Sequence, residues 1–142
     1  VGSVAARVHR HRPADAAEAQ PAYASWSIGE LGRASRGLIG IGWAFRRLTL
    51  ADLEAAARAN AFWEIGAGWA LAAPAPDARF EVAWIETREE DAGDLFRSLI
   101  DLAIGSGAES ISIWVPAIDW ITRIARRLGF ETSVLHVYAR EI

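Results

Sequence analysis

From Phe80 to the end of the chain the hydrophobic pattern switches back and forth between two periods, and that succession restricts the fold more than any other feature. Phe80-Glu-Val-Ala-Trp-Ile-Glu86 alternates loosely, as a strand does. Asp94 to Ile104 then sets Leu95, Phe96, Leu99, Ile100, Leu102 and Ala103 at helical spacing, and Gly105-Ser-Gly107 ends the run. Ser110-Ile-Ser-Ile-Trp-Val115 alternates again until Pro116 stops it. Ile118 to Leu128 returns to helical spacing, with Ile121, Ile124, Ala125 and Leu128 on one side, Arg123, Arg126 and Arg127 on the other, and Gly129 closing it. Ser133 to Arg140 finishes as a strand. Strands that alternate with amphipathic helices define an α/β chain.

The first half is less regular. Val4 to His9 suits a first strand, and Pro13-Ala-Asp-Ala-Ala-Glu-Ala opens a helix running from about Ala14 to Ser25. Gly29, Gly32, Ser35 and Gly37 make the next stretch loop-like, and Leu38 to Phe45 has the β-branched and aromatic content of a strand. Gly40 and Gly42 would share one face of that strand, close to another backbone, a ligand or a bulge. Thr49 can cap the amide of Asp52, so a helix follows to about Asn60. Ala61–Ile65 and Gly68–Ala73 read as a hairpin around Gly66-Ala67-Gly68. Pro74-Ala-Pro-Asp77 is the clearest break in the chain. It is not a domain boundary, because neither half alone could bury its strands on both faces, and residues 1–142 form a single domain.

Composition excludes several kinds of chemistry. The 142 residues include no cysteine, which rules out a disulfide framework, a thiolate metal site and a cysteine nucleophile. The 3 histidines, His9, His11 and His136, have no metal-protease spacing, so no metal site is expected. All 15 basic residues are arginine and the net charge is −3, which gives no reason to expect nucleic acid as a partner. Charged residues interrupt every apolar run, and the start lacks a signal-peptide pattern, so no membrane association and a cytoplasmic location are expected.

The second half carries a resemblance. Strand, arginine-containing turn, helix, strand, amphipathic helix, then Arg-Arg-Leu128-Gly129-Phe130-Glu131 and a last strand is similar to the C-terminal half of the GNAT family of N-acetyltransferases, with Leu-Gly-Phe-Glu the most telling local match. The resemblance implies a GNAT-like α/β fold: a central mixed, mostly antiparallel sheet whose parallel pair splays around a cofactor cleft, flanked by about four helices. It implies transfer of an acyl group from acetyl-coenzyme A to an amine by direct attack. The cofactor's pyrophosphate would lie on backbone amides of the loop Thr87 to Asp94 and on the next helix start. The family's pattern of arginine or glutamine, two residues, glycine, one residue, then glycine or alanine is matched by Arg88 and Gly93. The cofactor-binding residues so implied are Trp84, Ile85, Arg88, Ala92, Gly93 and Asp94, and the candidate general bases are Glu81 and Glu86.

The chain departs from the family in two places. Asp91 stands at the first glycine position, and Glu86, Glu89, Glu90 and Asp94 crowd with it where a polyanion would sit. Ala125 stands where many members carry a tyrosine that protonates the leaving thiolate, and no spacing brings Tyr23 or Tyr138 there. Twelve residues follow Phe130, which implies a reduced acceptor side.

Each sharp reading has a plainer one beside it. Glu81 and Glu86 are ordinarily solvated carboxylates on a half-exposed strand. Trp84 and Trp114, which could line a cleft for the pantetheine arm, are ordinarily core, and Glu64 and Asp119, which could hold a cationic amine, are common at a strand end and a helix start. His136 is ordinarily structural. Trp26, Trp43, Trp63 and Trp69 exceed what a small core commonly needs, so a homodimer or a partner GNAT domain is an alternative to a dense core with partly exposed rings. An acyltransferase ranks first. A catalytically inactive GNAT-like domain that binds, dimerises or regulates ranks close behind.

Overall fold

Two cap chemistries set the helix ends. The structure is a computed structural model and describes residues 11–41 and 44–133. After a short strand β1 (His11–Pro13), Asp15 accepts from the Glu18 amide and Glu18 reaches back to the Asp15 amide, a capping box that starts a 3-10 turn (Ala16–Glu18) leading into α1 (Ala19–Ile28). Thr49 and Asp52 form the same box before α3 (Leu50–Arg58), as their spacing predicts. The last helix closes on a left-handed residue. Gly129 (φ 92) follows α5 (Asp119–Arg127), donates to Arg126 at 3.0 Å, and lets Phe130 donate to Ala125 at 3.0 Å. The Leu-Gly-Phe element is therefore a helix stop, and the Phe130 ring lies 6.1 Å from Phe96.

The main sheet has the order β1-β4-β5-β6-β7. Strands β4 (Phe62–Ile65), β5 (Gly68–Ala75) and β6 (Arg79–Glu86) pair antiparallel, and β7 (Ser110–Ile113) joins β6 in parallel. The fold is thus mixed α/β with one parallel pair, and α4 (Glu89–Gly105) makes the crossover between β6 and β7. The expected hairpin at Gly66 is present, with Ile65 opposite Gly68. Pro74, read as part of a break, lies inside β5 opposite Phe80. It is tolerated because β4 pairs with β5 no further than Leu71, so its missing N–H faces no ladder.

Several expectations are corrected. Leu38 to Phe45 is not one strand: β2 (Leu38–Ile41) and β3 (Ala44–Arg47) form an antiparallel pair of their own. Gly40 sits opposite Phe45, and a Cβ there would meet that ring at 3.1 Å, so the close neighbour is a side chain and not the backbone, ligand or bulge expected. The glycine-rich stretch before β2 holds a short helix, α2 (Glu30–Ala34), because Gly32 serves a close approach and not a loop. The strand expected at Val4 to His9, the residues Gly42 and Trp43, and nearly all of the last strand with His136 and Tyr138 lie outside the described residues.

The buried side chains form one cluster drawn from every layer, from Trp26 and Leu31 through Phe62, Val82 and Trp84 to Leu95, Leu99 and Ile121. Trp26 and Trp84 are core, while Trp63 and Trp69 are half-buried. Among the described residues no helix is long and apolar enough to cross a membrane.

Candidate functional site

The parallel pair comes apart partway along β6. Val82 lies opposite Ile113, and the Trp114 amide still donates to the Val82 carbonyl at 3.0 Å. Beyond that point Ala83 to Glu86 have no partner on β7, although β5 follows them to Trp69 opposite Glu86. On the β5 side the register skips: Leu71 faces Trp84 and Ala72 faces Val82, leaving Ala83 as an extra residue. A bulge of this kind bends its strand and raises the local twist, which turns the end of β6 away from β7. The opening has neighbours of its own. Strand β2 runs within contact of β6, Ile39 of β2 is buried, and the Phe45 ring of β3 meets Trp114 edge-on at 6.2 Å.

Glu86 ends β6 beside this opening. It is 4% exposed, so the solvated carboxylate that its strand position suggests is not what forms. The Ser25 hydroxyl of α1 donates to Oε2 at 2.7 Å, and Oε1 has no hydrogen-bond partner. A Cβ on Gly29 would stand 3.4 and 3.6 Å from the two carboxyl oxygens, so that glycine sets the roof. Burial pushes the carboxyl above its usual range, and the Ser25 hydrogen bond draws it part of the way back. The indole N–H groups of Trp69, opposite Glu86, and of Trp84, two residues before it, are also buried without partners. A buried acid with one unpaired oxygen holds its proton to higher pH than a surface carboxyl does, and such groups concentrate at functional sites.

The remaining predicted residues do not converge. Glu81 lies in the paired part of β6, opposite Ala73 and Ser112, away from the opening. Trp84, Ile85 and Ala92 are core residues, Trp84 with its ring 6.1 Å from Trp26. Trp114 is 38% exposed, so its plain reading as core does not hold. The loop expected from Thr87 to Asp94 is mostly helix, because Arg88 is already the N-cap of α4 and Glu89, Glu90 and Asp91 fill its first turn, where the helix dipole favours acids. Arg88 approaches Glu90 at 3.5 Å and Asp91 at 3.4 Å, and Asp94 approaches Arg97 at 3.6 Å. Gly93 lies within the helix with only Arg97 near its Cβ position. Glu64 shares Arg12 with Glu18, which itself meets Arg12 at 2.7 Å, and Asp119 is an exposed residue of the first turn of α5. Sequence reasoning missed Ser25 and Gly29, whose roles depend on how α1 lies across β6.

Glu86 makes stability fall with pH in a definite window. A raised folded-state pKa means that the native chain keeps a proton which the unfolded chain has already lost. The contribution is full below the unfolded value near 4.5, declines as pH rises through the folded value, and is level above it. Glu86→Gln should flatten that decline and, at alkaline pH, exceed the wild type by about 1–3 kcal/mol. Urea melts of both proteins across the range test it, since the opposite trend from Asp52 and Glu18, whose carboxyls are lowered, is common to both and cancels in the difference.

Two crystal structures of TTHA1254 from Thermus thermophilus are similar to this chain. The point mutant gives a TM-score of 0.57 and the wild type 0.56, each at 21% identity over 94% of this chain and 97% of the other. The likeness establishes a shared fold. No family model and no curated protein matches the chain.

Proposed function

We propose that this is a GNAT-like domain whose helix-start cofactor site is not made for a polyanion, and that it serves as a binding or regulatory module. The GNAT-like part of the reading is supported by the sheet order, with a run of antiparallel strands, a single parallel pair joined through a helix, and a separation of that pair after Val82. The non-catalytic part rests on one observation: Glu89, Glu90 and Asp91 occupy the first turn of α4, and two of them approach Arg88. Acetyl-coenzyme A would have to displace these contacts and accept like-charge repulsion within a few ångströms. The partial positive charge of the helix start is already met by the chain's own carboxylates.

Acyl transfer to an amine is the second reading, and Glu86 is the observation that favours it. A buried carboxyl with one unpaired oxygen beside a splayed strand pair has the environment of a general base. Calorimetric titration with acetyl-coenzyme A and with coenzyme A decides between the two. The expected result is no binding that depends on the α4 start. Micromolar binding abolished by Gly93→Asp, a change with room for its side chain, would overturn the proposal and justify screening amines as acceptors.

A further inference from the structure

Three arginines from two parts of the chain line one concave site on the far end of α1. Arg33 belongs to α2, Arg36 follows that helix, and Arg47 ends β3, while Tyr23 of α1 supplies an aromatic wall. The cleft measures about 270 Å³ and no carboxylate lines it. Among the described residues none of these three exposed guanidinium groups makes an ion pair or donates a hydrogen bond, which is equally true of Arg58, Arg123 and Arg127; what sets the three apart is that they line one hollow.

Helix-end electrostatics and capping account for only part of this grouping. The helix dipole favours cations at the end of α2, but Arg47 comes from a strand. Capping does not need the side chains either, because the Arg36 and Gly37 amides already donate to the Arg33 and Gly32 carbonyls at 3.1 and 2.9 Å. Arg36 sits at φ 55, the left-handed position that Gly107 and Gly129 occupy after α4 and α5. A non-glycine residue in that region is strained, and Arg36 shares it with Asn60, Asp77 and Ala78. The chain as a whole carries a charge of −3, so three cations converging on one hollow run against its general balance.

We propose that this cleft binds a small organic phosphate monoester. Guanidinium groups match a phosphate with paired, charge-assisted hydrogen bonds. The aromatic wall suits a planar or apolar remainder, and the volume lies just below the usual range of small-molecule sites, which admits a ligand of modest size. The site stands apart from the start of α4, and the proposal does not rest on the reading given above for that helix.

Phenyl phosphate and inorganic phosphate are the probes, titrated calorimetrically into the wild type and into Arg36→Gly, Arg47→Ala and Arg58→Ala at low salt. Phenyl phosphate is expected to bind, and at least about tenfold more tightly than inorganic phosphate, through its contact with the aromatic wall. Arg36→Gly and Arg47→Ala should each weaken it by about tenfold or more. Arg58, exposed on α3, should not matter. Arg36→Gly is the decisive variant, because glycine suits the left-handed position and the melting temperature should rise while affinity falls. No binding by the wild type, or equal losses in Arg58→Ala, would overturn the site, and equal affinities for the two probes would overturn its assignment to an organic ligand.

Discussion

Phe96→Ala should lower stability by about 3–5 kcal/mol, a large share of the roughly 5–15 kcal/mol that a domain of this size possesses. Phe96 is 1% exposed on the inner face of α4, and its ring meets Phe130 at 6.1 Å. Truncation removes that burial and leaves a cavity which neighbours such as Leu95 and Leu99, held by the same helix, can fill only in part. The hydrophobic contact that accompanies the α5 stop at Gly129 goes with it. Urea denaturation is the measurement, with a lower midpoint and an unchanged slope as the expected signature. A loss below about 1 kcal/mol would mean that α4 does not pack on the sheet through this residue. Phe130→Ala, which removes a half-buried ring from the same contact, should cost distinctly less.

The second large effect is at Gly32. On helix propensity alone Gly32→Ala would stabilise the protein by about 1 kcal/mol. The structure reverses the sign. A Cβ at this position would overlap the carbonyl oxygen of Trp26 and stand 2.9 Å from its carbonyl carbon, and backbone cannot swing aside as a side chain does. Either α2 moves off the end of α1 or the last turn of α1 unwinds. A loss of about 3 kcal/mol is expected, at the upper end of the usual overpacking range. Thermal and urea melts of the variant are the test, and a gain in stability would show that α1 and α2 do not meet at this glycine. Displacement of α2 would also carry Arg33 and Arg36 away from Arg47, so phenyl phosphate binding should fall in step.

The parts of the fold that sequence reasoning reached are those governed by neighbours in the chain. Thr49 and Asp52 announced α3, Gly66 announced the β4–β5 turn, and the stripe from Leu95 to Ala103 announced α4. The apolar stripe alone starts that helix at Asp94, five residues late, because the turn before the stripe is marked by its acidic run and not by apolar spacing. Leu38 to Phe45 has the composition of one strand, and composition cannot tell a single strand from a tight pair of strands. Of the candidate site, the strand that carries Glu86 was legible, but the residue's environment was not. Glu81 and Glu86 look alike in sequence, and only the extra residue at Ala83 and the crossing of α1 make one half-buried within the ladder and the other enclosed under Ser25 and Gly29.

The sequence by itself determined the periods, the caps and the absence of cysteine chemistry, and with them an α/β chain of alternating elements. These follow from interactions within a few residues, whose geometry any local stretch carries with it. The tertiary structure alone decided that β6 and β7 part after Val82, that Glu86 is buried and holds its proton more tightly than a surface acid, and that Arg33, Arg36 and Arg47 face one hollow. Each of these depends on groups far apart in the chain, and burial and charge become functional properties only when packing has chosen their neighbours.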